Sequence, residues 1–236
     1  MNKQIVFYIF LFLFFSCEKQ RQKSSRDLNS TEHFSIATDL GNLKNVEKHK
    51  INDSLYIIKG KFNSYEIIGY IKENNKRTGW WEAKDYKTKV LLARLEYQMI
   101  DNKEFVNQFI LYQGGKIDTL RSKFYSFTKT ANLIKYKFYT PYQLKAIRSQ
   151  GKLNYEYFYE EEEKKHLECK CTKDKNVFNC EFYFPKGISN KDIFLRGNFW
   201  EMFQLNNGDI GENNIYILDT INQKRSNETV KLFNPG

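Results

Sequence analysis

Three thiols crowd the last third of the chain, Cys169, Cys171 and Cys180 in "HLECKCTKDKNVFNCEF", with His166 three places ahead of the first. Imidazole and thiolate together are the donor set of zinc sites. The spacing His166-x2-Cys169-x-Cys171-x8-Cys180 matches no standard zinc pattern, however. Strand residues three apart also face opposite sides, so His166 points away from Cys169. No metal and no cofactor are expected. The remaining chemistry is oxidation. Around a turn at 173–176, Cys169 faces Cys180; a shift of one register pair sets Cys171 there instead. Either register keeps Leu167, Cys169, Cys171, Phe178, Cys180 and Phe182 on one face. A cross-strand disulfide is expected between Cys180 and either Cys169 or Cys171, leaving one thiol over.

Other chemistry-bearing groups are sparse. The chain has three His, and His33 and His49 lie in or near a polar segment unsuited to holding a general base. No Gly-x-Ser-x-Gly elbow, His-Glu-x-x-His helix, P-loop or dinucleotide fingerprint occurs. A pair of catalytic carboxylates, as in glycosidases, is not singled out among the many Asp and Glu. The acidic run "YEEEEKK" reads as a solvated hairpin tip rather than a cation site. The chain is therefore expected not to be an enzyme.

The first residues, "MNKQIVFYIFLFLFFSC", carry Lys3, an apolar run of 11 residues from Ile5 to Phe15, then Ser16 and Cys17. This is the charged start, short apolar stretch and small-residue site of an export signal. It is too short for the ~20 residues that span a bilayer as a helix. Ending on Cys, it resembles the signal peptide of bacterial lipoproteins, with Phe14 where that family prefers Leu. The resemblance implies removal of residues 1–16 and lipidation of Cys17, and so a chain anchored to a membrane by its acyl groups. Export also permits disulfides. Glu18 rather than Asp after the Cys implies the outer membrane. Residues 17–33, polar and without apolar period, read as a flexible tether.

Lys and Arg total 38 against 28 Asp and Glu, a formal charge of +10. The Lys residues are scattered among acids and form no basic stripe, so nucleic acid is not an expected partner. Aromatic residues make up 17% of the chain and only three Pro occur. That composition favours β-strands around a substantial core.

"SLYIIKGKF" and "YEIIGYIKE" are strand-like runs separated by the hairpin signal Asn63-Ser64. A repeat follows. "GWWEAKDYKTKVLLARLEY" (Gly79 to Tyr97) aligns without gaps to "NQFILYQGGKIDTLRSKFY" (Asn107 to Tyr125) at an offset of 28. Each unit reads as strand, turn, strand, the second turn using Gly114-Gly115. Just before the units stand Asn75-Lys76 and Asn102-Lys103. With Gly69-Tyr70, Gly79-Trp80-Trp81, Asn107 and Tyr112, these residues resemble a degenerate MORN-type repeat, with Asn107 in place of the family's Gly. The resemblance spans about a quarter of the chain and implies a scaffold of stacked hairpins that binds lipid in some proteins and protein in many.

The repeat separates the neighbouring tryptophans. Trp81 goes with Ala83 and aligns with Phe109, so it belongs to the core. Trp80 goes with Glu82 and Lys84 and aligns with Gln108, on the polar face. Trp80 is therefore the candidate contact residue, unless the neighbouring β region covers it.

Beyond Tyr125, six more strand-like runs follow at short spacing. "TPYQLKAIRSQG" is the helix candidate: Thr140 at the cap, Pro141 in the first turn, Leu144 and Ile147 on one face, Gly151 at the stop. The expected fold is mainly β: a MORN-like antiparallel hairpin sheet over 34–125, then a small antiparallel sandwich or curled sheet over 126–236, with one short helix. "DSL", "DTL" and "DTI" resemble the Asp-Ser/Thr-apolar O-glycosylation site of exported Bacteroidetes proteins, which implies glycans on Ser54, Thr119 and Thr220. Together these readings describe a non-catalytic, lipid-anchored envelope protein that presents a sheet to a protein or glycan. The MORN likeness carries an immunity or antitoxin-like lipoprotein as the alternative, and an envelope hydrolase stands behind it.

Overall fold

The computed structural model describes residues 30–158, 165–184 and 193–221. Cys17 and residues 1–29 lie outside the described residues, as do 159–164, which hold most of "YEEEEKK". Among the described residues the fold is mainly β: two antiparallel seven-stranded sheets, the second curled, and one α-helix.

The first sheet is a simple meander in chain order: β1 (Lys44–Asn52), β2 (Leu55–Phe62), β3 (Tyr65–Lys72), β4 (Arg77–Asp85), β5 (Leu91–Ile100), β6 (Lys103–Gln113) and the short β7 (Lys116–Ile117). Its tight turns use Asn63, Asn75, Asp101 and Asn102 at positive φ, which Asn and Asp tolerate better than most residues. One face carries Ile67, Ile71, Trp81, Ala83, Leu95 and Tyr97, all buried. Helix α1 (Thr31–Ala37) covers it with Phe34 and Ala37. The helix occupies residues expected to end the tether, and His33 is buried rather than solvated. Ser30 caps it, its side chain accepting from the His33 N–H at 3.1 Å. Arg77 holds the helix's other end. It donates to the Ser35 carbonyl and the Thr38 hydroxyl, each at 3.2 Å, and its guanidinium is gripped by Glu104 at 2.8 Å. A cation suits a helix C-terminus.

The two aligned segments share an irregularity. Gly79 and Asn107, aligned at the offset of 28, both fall where the ladder slips register: β3–β4 between Ile68 and Tyr70, β5–β6 between Glu96 and Tyr97. Gly69 is needed because the Trp81 ring lies on it; a Cβ there would stand 2.0 Å from the indole. The indole N–H donates to the Tyr70 carbonyl at 3.1 Å. The second unit is cut short. After β7 the chain turns through Asp118 and leaves the sheet, so Leu120 is exposed where its mate Leu92 packs on the core.

The second sheet runs β14-β13-β10-β11-β12-β9-β8. Its strands are β8 (Phe124–Thr130), β9 (Leu133–Tyr139), β10 (Ala146–Phe158), β11 (Lys165–Asp174), β12 (Val177–Tyr183), β13 (Ile193–Leu205) and β14 (Ile210–Ile221). Strand β11 pairs with β10 as far as Cys171 and with β12 only from Thr172. That handover curls the sheet around an aromatic core in which Phe138 stacks on Phe199 at 4.2 Å and Tyr155 on Phe182 at 4.2 Å.

The helix expected at 140–151 does not form. Thr140 to Lys145 make a loop, and β10 begins at Ala146. Twelve register pairs with β13 hold the segment extended, and tertiary pairing overrides a weak local preference. Leu144 and Ile147, expected to share one helix face, lie in the loop and at the start of β10 and are both exposed.

Candidate functional site

The alternation of β10, β11 and β13 sends Leu153, Tyr155, Leu195 and Phe199 into the core and their even-numbered neighbours outward. Unbroken register then aligns the outward side chains in rows. One row sets His166 beside Glu156 beside Arg196. The next sets Glu168, Asn154, Asn198 and Tyr216 side by side. A third carries Lys152 and Trp200.

The first two rows floor an open groove of about 650 Å³, which Gln98 of β5 also lines. Glu156 is its centre. His166 Nδ1 lies 2.7 Å from one carboxylate oxygen, and the Arg196 guanidinium lies 2.7 Å from the other. Glu168 pairs with Lys152 at 2.9 Å. Tyr216 stands edge-on to Phe105 at 5.5 Å, joining the groove wall to the first sheet. Gly197 lies in the floor because a Cβ there would meet the Asn154 carbonyl at 2.7 Å. The outcome is a shallow concave surface of amides, carboxylates, a guanidinium and an aromatic ring. Planar polar groups of this kind fix the orientation of a hydroxyl-rich or peptide ligand. Both carboxylates are paired with cations, Glu156 with Arg196 and Glu168 with Lys152.

The groove depends on the junction between the sheets. Asn107 is fully buried. Its amide donates to Glu96 at 2.7 Å and to the Tyr216 carbonyl at 2.8 Å, and its oxygen accepts the Tyr216 N–H at 2.7 Å. Lys123 is buried beside it, donating to the Asn214 carbonyl at 3.0 Å with its ammonium over the Phe105 ring. Burial lowers its pKa to about 8. Gln108 completes the junction, donating to Glu96 and accepting the Tyr125 N–H at 3.0 Å.

The three thiols lie on the opposite, core side of the second sheet. All are unbridged, so the expected disulfide is not formed in the structure. The β11–β12 ladder runs from Asp174↔Val177 to Thr172↔Asn179 and ends before it reaches a cysteine. The ladder opens there, and the thiols donate to nearby carbonyls instead: Cys180 to Cys169 at 3.5 Å, Cys169 to Glu181 at 3.6 Å. Donation from the Cys180 thiol lowers the pKa of Cys169, while that same contact with burial raises that of Cys180. His166 faces the groove, away from them. Deeper in the curl, Asp219 accepts from Tyr136 at 2.7 Å and Tyr125 at 3.0 Å. Burial raises the pKa of all three groups.

Trp80 is half-buried on the charged face of the first sheet, with the Arg94 guanidinium 5.6 Å from its ring and Arg94 paired to Glu82 at 2.7 Å. It lies outside the groove. Ser54 is exposed in the β1–β2 turn, Thr119 is half-buried, and Thr220 is exposed on β14 while its neighbour Asp219 points inward. Sequence reasoning did not find the His166–Glu156–Arg196 row. The alternation that turns each outward was readable, but the β10–β13 pairing between distant segments was not. No family model matches the chain, and neither does a curated protein or a solved structure.

Proposed function

We propose that this chain is a non-catalytic, lipid-anchored protein of the cell envelope, best described by what it holds out: a β surface whose groove takes a glycan. The observation that carries this reading is the groove over Glu156, lined by Asn154, Asn198 and Gln98, with Glu156 already paired to Arg196 and His166. Pre-positioned polar groups lose little freedom on binding. The lipoprotein-like start with Cys17 supports the anchor, and the MORN-like hairpins support a scaffold role.

The test is calorimetry of the protein with soluble oligosaccharides released from bacterial envelope preparations. Binding weakened about tenfold or more by Asn154→Ala and by Arg196→Met, but unchanged by Trp80→Ala, is the expected result. Binding that survives both groove changes, or no glycan binding at all, overturns the reading. Shortened oligosaccharides after incubation, lost in Glu156→Gln, would replace it with a hydrolase.

A further inference from the structure

Four loops meet at one end of the curled sheet: 118–122, 139–146, 174–177 and 205–210. They are tied to one another. Buried Asn176 donates to the Thr119 carbonyl at 2.6 Å and the Thr140 carbonyl at 3.2 Å. The Tyr142 N–H donates to the Leu120 carbonyl, and the Asn206 N–H to that of Lys145. This bracing holds apolar side chains outward. Leu144 is 87% exposed and Ile147 66%, with Leu120, Tyr142 and Ile210 exposed beside them. Single exposed apolar residues need no explanation, but a braced cluster does.

Lys145, Arg148 and Lys175 stand among these residues. Asp174 and Asp209 are the exposed acids of the same loops, while Glu201 is held inside by Lys173 and Asp118 by Arg121. The rim is left net positive. Protruding Leu, Ile and Tyr flanked by Lys and Arg suit the headgroup boundary of an anionic bilayer. A bilayer is also within reach of a chain lipidated at Cys17, the reading proposed above: residues 18–29 join Cys17 to Ser30, and 12 extended residues span about 43 Å at most. We propose that this loop tip docks onto anionic lipid, with Leu144 and Ile147 entering the interface and Lys145, Arg148 and Lys175 facing the headgroups. The site is separate from the groove and stands whether or not the groove binds glycan.

Sedimentation with vesicles tests it, using the chain from Glu18 to Gly236, which carries every described element and lacks the apolar run. The parent chain should sediment with vesicles containing phosphatidylglycerol and weakly with phosphatidylcholine alone. Leu144→Ser with Ile147→Ser should weaken sedimentation tenfold or more, by about a Leu and an Ile side chain left unburied. Lys145→Glu with Arg148→Glu should weaken it at least about fivefold per position at low salt, a difference that shrinks as salt rises. All four positions are exposed, so the melting temperatures of both variants should match the parent. A parent chain that sediments with neither vesicle, or a serine variant that sediments like the parent, overturns the proposal.

Discussion

Asn107 and Tyr216 stand 109 residues apart, yet the Asn107 side chain meets both backbone groups of Tyr216, giving at 2.8 Å and accepting at 2.7 Å. An amide side chain here imitates a β-ladder and fastens the second sheet to the first.

Asn107→Ala should therefore orphan the buried Tyr216 N–H and carbonyl together. Each such loss costs about 1–3 kcal/mol. Urea unfolding should report a loss of about 2–4 kcal/mol, and amide exchange should speed up first in β14. An unchanged midpoint would mean that the sheets hold together without this contact.

The two tryptophans should separate cleanly. Trp81→Ala removes a fully buried indole and should cost about 3–5 kcal/mol. Gly69→Ala drives a methyl group into that same ring and should be comparably damaging. Trp80→Ala, half-buried over Arg94, should change stability by about 1 kcal/mol or less. Thermal melts of the three variants decide the matter.

Asp219 makes stability depend on pH in a particular direction. Burial raises its folded pKa above the unfolded value, so the folded state binds more protons between the two. The associated stability is present below the unfolded pKa and is lost as pH rises through the folded pKa. Asp219→Asn keeps an acceptor for Tyr125 and Tyr136 and removes the charge. Its stability profile should be flatter across the acidic range than that of the parent, as measured by denaturant midpoints at a series of pH values.

The thiols should react unequally. Cys169 is half-buried with its pKa lowered by the Cys180 thiol, whereas Cys180 is buried with its pKa raised. Thiolate is the nucleophile, so iodoacetamide at neutral pH should label Cys169 well before Cys180. Peptide mapping of a timed reaction gives the order, and equal labelling would contradict the geometry.

The strands themselves were legible because their alternation is local: "YEIIGYIKE" and "GWWEAKD" announce which side chains turn inward. The placing of Trp81 in the core was legible for the same reason. The failed helix at 140–151 had real capping signals, but β13 lies more than forty residues away and its claim on Ala146 to Phe158 leaves no local trace. The helix at Thr31–Ala37 was missed by a narrow margin. Its apolar residues begin at Phe34, immediately after a polar stretch that reads as tether. The groove was illegible because its rows join β11, β10, β13 and β14 through pairings fixed only by the closed fold.

The meander order of the first sheet has a consequence in time. Every pairing from β1 to β7 joins chain neighbours, so that sheet needs only short loop closures and should form early. The second sheet must wait: β9 finds β12 and β10 finds β13 only after the intervening strands arrive. Until β14 reaches Asn107, β6 presents an unfinished edge. Refolding should thus proceed in two phases, with Trp81 fluorescence recovering ahead of the signal from Trp200.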